Sequence, residues 1–189
     1  SAVLRTVLHG VGRSRLLIMD PRRTHLGLVD GPDVAYATSA SVARDHVDAL
    51  AATLRTRLPG PEVTQRQLRD RSWWSGPEAW VIVDDYDLLA DAATGNPLSG
   101  LTELLPHAVD VGLHVILARR AGGAARAMFD PVLSRLRDLG AAGFAMSARP
   151  DEGPLFGSVR PVAQPPGRGT LVRQGHPDQL VQVAWTDSP

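Results

Sequence analysis

Apolar residues at Val3, Leu4, Val7, Leu8 and Val11 keep the i, i+3, i+4 spacing of one helix face, and Gly10 and Gly12 close it. The period then changes. The run RLLIMD, ending on Asp20, is a short unbroken apolar stretch of the kind a strand buried on both faces requires. Residues 21–39 form a loop with a short strand near Val34 to Tyr36. Ala43, Val47, Leu50, Leu54 and Leu58 predict a long helix that stops at Pro59-Gly60, with Ser39 or Ser41 as its cap. Residues 59–78 are polar and rich in arginine and glutamine. They read as a surface excursion holding a short helix and ending in SWWSGPE.

A second buried strand is predicted over 79–84. Asn96-Pro97 opens a helix carrying Leu101, Leu104, Leu105 and Ala108, kinked at Pro106. GLHVILA, 112–118, is a third strand. Asp130-Pro131 has the order of a cap followed by a first-turn proline, and Val132, Leu133, Leu136 and Leu139 form the helix face after it, with Gly140 as the stop. GFAMS is a strand, 149–169 a Gly/Pro-rich loop, and TLVRQGHPDQLVQVAW a terminal β-hairpin. Strands alternating with helices imply an α/β sandwich with a mostly parallel sheet. No internal repeat and no domain boundary are visible, so residues 1–189 read as one domain.

Composition narrows the picture. The chain has 189 residues, enough for a sizeable core, and 43% of them are hydrophobic. Basic and acidic residues both number 20, which gives no support for a general nucleic-acid-binding surface. Cysteine is absent, so disulfides and thiolate metal sites are excluded, and a reducing compartment fits. No stretch has the length and apolarity of a membrane helix or a signal peptide. The six histidines lack metal-ligand spacing. All 20 basic side chains are arginine, so no GxxxxGK[ST] phosphate loop lies wholly within the chain.

The chemistry concentrates at one place. AWVIVDDYDLLA carries Val81, Ile82 and Val83 straight into Asp84 and Asp85. A carboxylate at the C-terminal end of a central strand is where nucleotide-hydrolysing folds orient a magnesium-bound water, and Asp84 takes that place; a plain strand-end cap is the alternative. Asp85 is the candidate to polarise an attacking water. Such sites usually finish Asp-Glu, and aspartate falls short by roughly 1.5 Å, so slow or absent hydrolysis with binding kept is expected. The alternation begins with a helix, and in a phosphate-loop fold the first strand and its glycine loop come just before that helix. Ser1 then falls where the loop's magnesium-touching hydroxyl would sit. On this reading the chain starts past its own phosphate loop.

These residues match a family. LLIMDPRRTHL resembles the strand-then-Asp-Pro-basic segment of FtsK/SpoIIIE-type ATPases, VIVDDYDLL their second acidic motif, and AVDVGLHVILARR the strand that follows. SWWSGPEAWVIVDDYDLL, GLHVILARR and PPGRGTLVR together are similar to the last of the three ATPase domains of the EccC family, the membrane-anchored motors of actinobacterial type VII secretion. The resemblance covers almost the whole chain. It implies a RecA-like P-loop NTPase sandwich that binds ATP and Mg2+ at a domain or subunit interface. The setting it implies is the cytoplasmic part of an inner-membrane-associated complex. Expected partners are the other ATPase domains of the motor, secreted WXG-type helical-hairpin substrates, and further copies in a hexameric ring; nucleic acid is not expected.

Arg119 and Arg120 end the strand beside the acidic one, where the translocases have uncharged polar residues; there Arg119 is a candidate to sense a γ-phosphate or reach a neighbour's nucleotide. Arg168, in PPGRG, is a second candidate nucleotide contact. Asp20 with Arg22 and Arg23 reads as a loop ion pair, and His114 as a buried histidine with one satisfied nitrogen. Trp73 and Trp74 either pin the polar excursion to the core or form a docking surface for a partner. Two functions compete: an ATP-binding motor domain with weak chemistry, and a nucleotide-independent docking or regulatory module that binds substrate signal peptides or partner subunits.

Overall fold

Leu16, Leu17, Ile18 and Met19 are all buried, as are Val81, Ile82 and Val83. Consecutive burial on both faces is what a central parallel strand demands, and it explains why neither run alternates. In the computed structural model these runs are β1 (Arg15–Met19) and β3 (Ala79–Val83). The structure describes residues 2–90, 95–123, 127, 129–149 and 152–184. The chain divides into two compact units, residues 11–118 and residues 1–10 with 119–189.

The first unit holds a four-stranded parallel sheet in the order β2-β1-β3-β4, with β2 at Val34–Ala37 and β4 at Leu113–Leu117. Its register sets Met19 beside Ala37 on one side and Val83 on the other, and Val83 beside Leu117. All four strands therefore end at the same edge, where Asp20 and Asp84 follow β1 and β3 directly. Helix α2 (Ala40–Arg55) carries the chain from β2 back across β1 to β3. It buries Ala43, Val47, Leu50, Ala51 and Leu54 and is capped by Ser39, whose side chain accepts from the Val42 N–H. Helix α3 (Gln65–Asp70) buries nothing and is held at its start by a reciprocal capping box of Thr64 and Gln67. It occupies the predicted polar excursion.

The predicted helix around Leu101 is instead a series of short turns. Residues Ser99–Leu101 and Leu105–His107 are 3-10 turns, and only Ala108–Val111 closes an α turn. Pro106 has no N–H to give an α ladder. Leu98, Leu101, Leu104 and Leu105 are nonetheless buried, so tertiary packing supplies the stability that the local ladder lacks. A single turn, Tyr86–Leu89, follows β3 as α4, which makes Ala108–Val111 α5.

Gly112 ends α5 at φ +69, a left-handed conformation that glycine adopts without strain. A Cβ there would lie 2.7 Å from the Trp74 ring. Gly112→Ala is therefore expected to cost about 2 kcal/mol, combining backbone strain with overpacking against a rigid ring. Urea unfolding measures the loss.

The second unit contains α1 (Ala2–Gly10), α6 (Pro131–Asp138) and a three-stranded antiparallel sheet. Asp130 caps α6 through its side chain, with Pro131 in the first turn, as the sequence indicates. The expected C-terminal hairpin is β6 (Arg168–Val172) with β7 (Gln179–Gln182). GFAM is β5 (Gly143–Met146), which joins that hairpin by pairing with β6.

Candidate functional site at the ends of the central strands

The Asp84 N–H donates to the Met19 carbonyl at 2.9 Å, so the parallel ladder continues one residue past β3 and holds the Asp84 backbone in line with β1. Its side chain is nearly all buried. One carboxylate oxygen, Oδ1, accepts the Asp85 N–H at 3.0 Å, and the other, Oδ2, lies 2.7 Å from His25 Nε2. Burial pushes the Asp84 carboxyl up. Its hydrogen bonds, the one to His25 foremost, outweigh it and hold the group well below the usual carboxylate range. Asp84 is thus ionised at neutral pH, and His25 Nε2 is the donor.

Asp20, at the end of the neighbouring strand, is completely buried. It does not pair with Arg22 and Arg23 as the sequence suggests. It accepts the His25 backbone N–H at 2.7 Å and the Tyr36 hydroxyl at 2.5 Å, both at Oδ2, with the Thr24 hydroxyl 3.4 Å away. Burial, reinforced by the bond to Asp20, pushes the Tyr36 phenol well above its ordinary value, which keeps it a donor. The loop after β1 is folded around Asp20, and its first half delivers the His25 ring, 1% exposed, to Asp84.

Arg22 goes elsewhere: its Nε lies 3.0 Å from Asp85 Oδ2. Asp85 takes a left-handed backbone, φ +46 and ψ +47, where the chain turns from β3 into α4. Such a conformation is uncommon outside glycine, and aspartate is one of the residues that tolerates it. The candidate water-polarising carboxylate is therefore paired with a guanidinium through Oδ2.

Ser1 falls outside the described residues. Arg119 folds onto its own loop, donating to the carbonyls of Arg120 and Gly122, and Arg168 donates to Gln182 across the hairpin. Both belong to the second unit. Trp73 and Trp74 are half-buried and turn their indole N–H groups inward, to the carbonyls of Arg57 and Asp110, each at 2.7 Å. Arg57 lies over the Trp74 ring at 4.3 Å. His114 is a correction: its side chain is 38% exposed, stacked on Trp80, with Nε2 bonded to Glu78 at 2.8 Å. It stands near the start of β4 rather than deep in the core, so solvent reaches it.

His25 and Tyr36 were not singled out from the sequence. Nothing in the local pattern marks them, because the bond from His25 to Asp84 spans 59 residues.

Among the described residues no cluster of three or more histidine and acidic side chains could hold a metal. Magnesium does not need one: it keeps several waters and takes one or two carboxylates together with substrate phosphates. A buried, ionised Asp84 at the C-terminal edge of the sheet fits that role through water.

A parallel sheet with an ionised aspartate at the C-terminal end of its central strand, and helices crossing over it, defines the chain as a RecA-like P-loop NTPase domain of the α/β class. No family profile matches it. It is 51% identical to the ESX-4 secretion system protein EccC4 of Mycobacterium tuberculosis over its whole length, which is 16% of that protein. The structure of Thermomonospora curvata EccC, ATPases 2 and 3, in complex with a signal sequence peptide superimposes with a TM-score of 0.91. That match has 38% identity and covers 99% of this chain and 35% of the other. The cytoplasmic domain of the type VII secretion ATPase EccC from the same organism gives a TM-score of 0.92, with 99% and 22% covered. The chain belongs to the EccC family of type VII secretion proteins. It spans about one sixth of the length of the EccC4 relative.

Proposed function

We propose that this chain is the third ATPase domain of a type VII secretion motor, that it binds Mg-ATP with weak or no hydrolysis, and that it contributes to recognising secreted substrates. The observation that carries the reading is Asp84: buried, ionised and held at the C-terminal edge of a parallel sheet, where α/β folds bind nucleotides. Weak chemistry follows from Asp85, which is short for a base and paired with Arg22. Bound Mg2+ would supply charge neutralisation at the phosphates, with Asp84 holding it through water.

The free edge of β4 supports a phosphate loop upstream of residue 1. Among the described residues β4 pairs only with β3, and its sequence, LHVIL, is uncharged. Native sheets cover or charge such an edge. A parallel strand added there would end at the same edge as Asp84, with its loop beside that carboxylate.

The partners in this reading are the other ATPase domains of the motor, assembled in a ring, and WXG-type substrates. A relative solved with a signal sequence peptide favours substrate recognition, for which Trp73 and Trp74 are the docking candidates. The place of action is the cytoplasmic side of an inner-membrane complex. Among the described residues no helix is long and apolar enough to cross a membrane.

Titration calorimetry of Mg-ATP into the domain, extended upstream through its first strand and loop, tests the proposal. Affinity of about 1 μM or tighter is expected, equivalent to about 8 kcal/mol. No binding by a folded sample would overturn it in favour of a nucleotide-independent docking module.

A further inference from the structure

We infer that His25 is a positioning residue for the magnesium-facing carboxylate, making the metal-dependent part of nucleotide affinity a property of the loop after β1. This rests on the nucleotide reading above. His25 is gripped at both ends. Its backbone N–H is bound by Asp20 Oδ2 at 2.7 Å, and its Nε2 by Asp84 Oδ2 at 2.7 Å. Asp20 is fixed in turn by the Tyr36 hydroxyl, and the loop bends back tightly, with the Arg23 N–H on the Asp20 carbonyl at 3.1 Å. The ring has almost no contact with solvent.

A strand-end aspartate that only capped the next turn would be served by the Asp85 N–H alone, which already occupies Oδ1. The second donor has another consequence. It fixes the rotation of the carboxylate plane. Donors of this kind behind a metal-facing group set its orientation, and their loss typically costs about 10–100-fold in metal affinity. Lining this position with an apolar side chain would pack as well, but it would leave Asp84 free to turn and its Oδ2 without that donor.

The test uses the native-length protein and measures ATP affinity with Mg2+ and with EDTA, for the parent and for His25→Gln, His25→Asn and His25→Phe. A glutamine amide nitrogen reaches where Nε2 sits; an asparagine amide nitrogen reaches only to the Nδ1 position. The parent and His25→Gln are expected to share a strong magnesium enhancement. His25→Asn and His25→Phe should lose about tenfold or more of it while their affinity in EDTA stays unchanged. The Gln–Asn contrast compares two polar side chains, so it stands even if the phenylalanine variant does not fold. Equal magnesium enhancement across all the folded variants overturns the inference. A parent protein whose ATP affinity ignores Mg2+ overturns the nucleotide reading itself, and this inference with it.

Discussion

Asp84→Ala is expected to abolish Mg-ATP binding by the loop-extended domain, a loss of about 100-fold or more in affinity, while leaving the fold in place. The carboxylate is buried at the sheet's C-terminal edge, held below the usual carboxylate range and fixed by the Asp85 N–H and the His25 ring. Truncation also leaves the His25 donor buried without its acceptor, at a cost of about 1–3 kcal/mol. Calorimetry with Mg-ATP and with ATP in EDTA separates the two effects. Magnesium-dependent affinity should vanish, and the thermal midpoint should fall by only a few degrees. Retained magnesium-dependent binding would mean that Asp84 is a structural cap.

The second large effect lies at the opposite edge of the sheet. Arg57 is buried, an unusual state for arginine. Its guanidinium donates to the carbonyls of Val111 and Pro77, each at 3.0 Å, and stacks over Trp74. Burial, with the charge of Arg15 adding to it, lowers its pKa, yet a guanidinium stays protonated throughout the range in which proteins fold. The charge must therefore be satisfied where it lies. Removing it strips two carbonyls of a charged donor and the indole of its cation.

We expect Arg57→Ala to cost about 3 kcal/mol, the sum of charge-assisted hydrogen bonds and a desolvated cation–π contact. Guanidinium-chloride unfolding reads the loss directly. A loss below about 1 kcal/mol would show that water replaces the side chain without penalty. The same side chain explains why SWWSGPE stays attached. Trp73 bonds the Arg57 carbonyl, Trp74 lies under its guanidinium, and Arg71 reaches both the Val109 carbonyl and Glu78. Glu78 is in turn held below its ordinary pKa, chiefly by its bond to His114. The polar excursion is thus fastened by a handful of named contacts rather than by a buried face of α3.

What local pattern dictates was legible along the chain. Unbroken apolar runs marked β1, β3 and β4 because strands covered on both faces have no polar side, and the heptad-like spacing from Ala43 to Leu54 marked α2 because one face must be dry. Asp84 could be read as a strand-end acid for the same reason: it is the first polar residue after a buried run. Only the tertiary structure decided what each acid touches. His25 reaches Asp84 across 59 residues, Arg57 reaches Val111 across 54, and Asp20 is satisfied by His25 of its own loop and by Tyr36 rather than by adjacent arginines. Register and strand order set those meetings, and both are fixed by the sum of packing over the whole sheet. A helical pattern near Leu101 gave way to turns for a related reason. Burial of four leucines was worth more there than a regular ladder, and the periodicity of a short apolar run cannot tell the two apart.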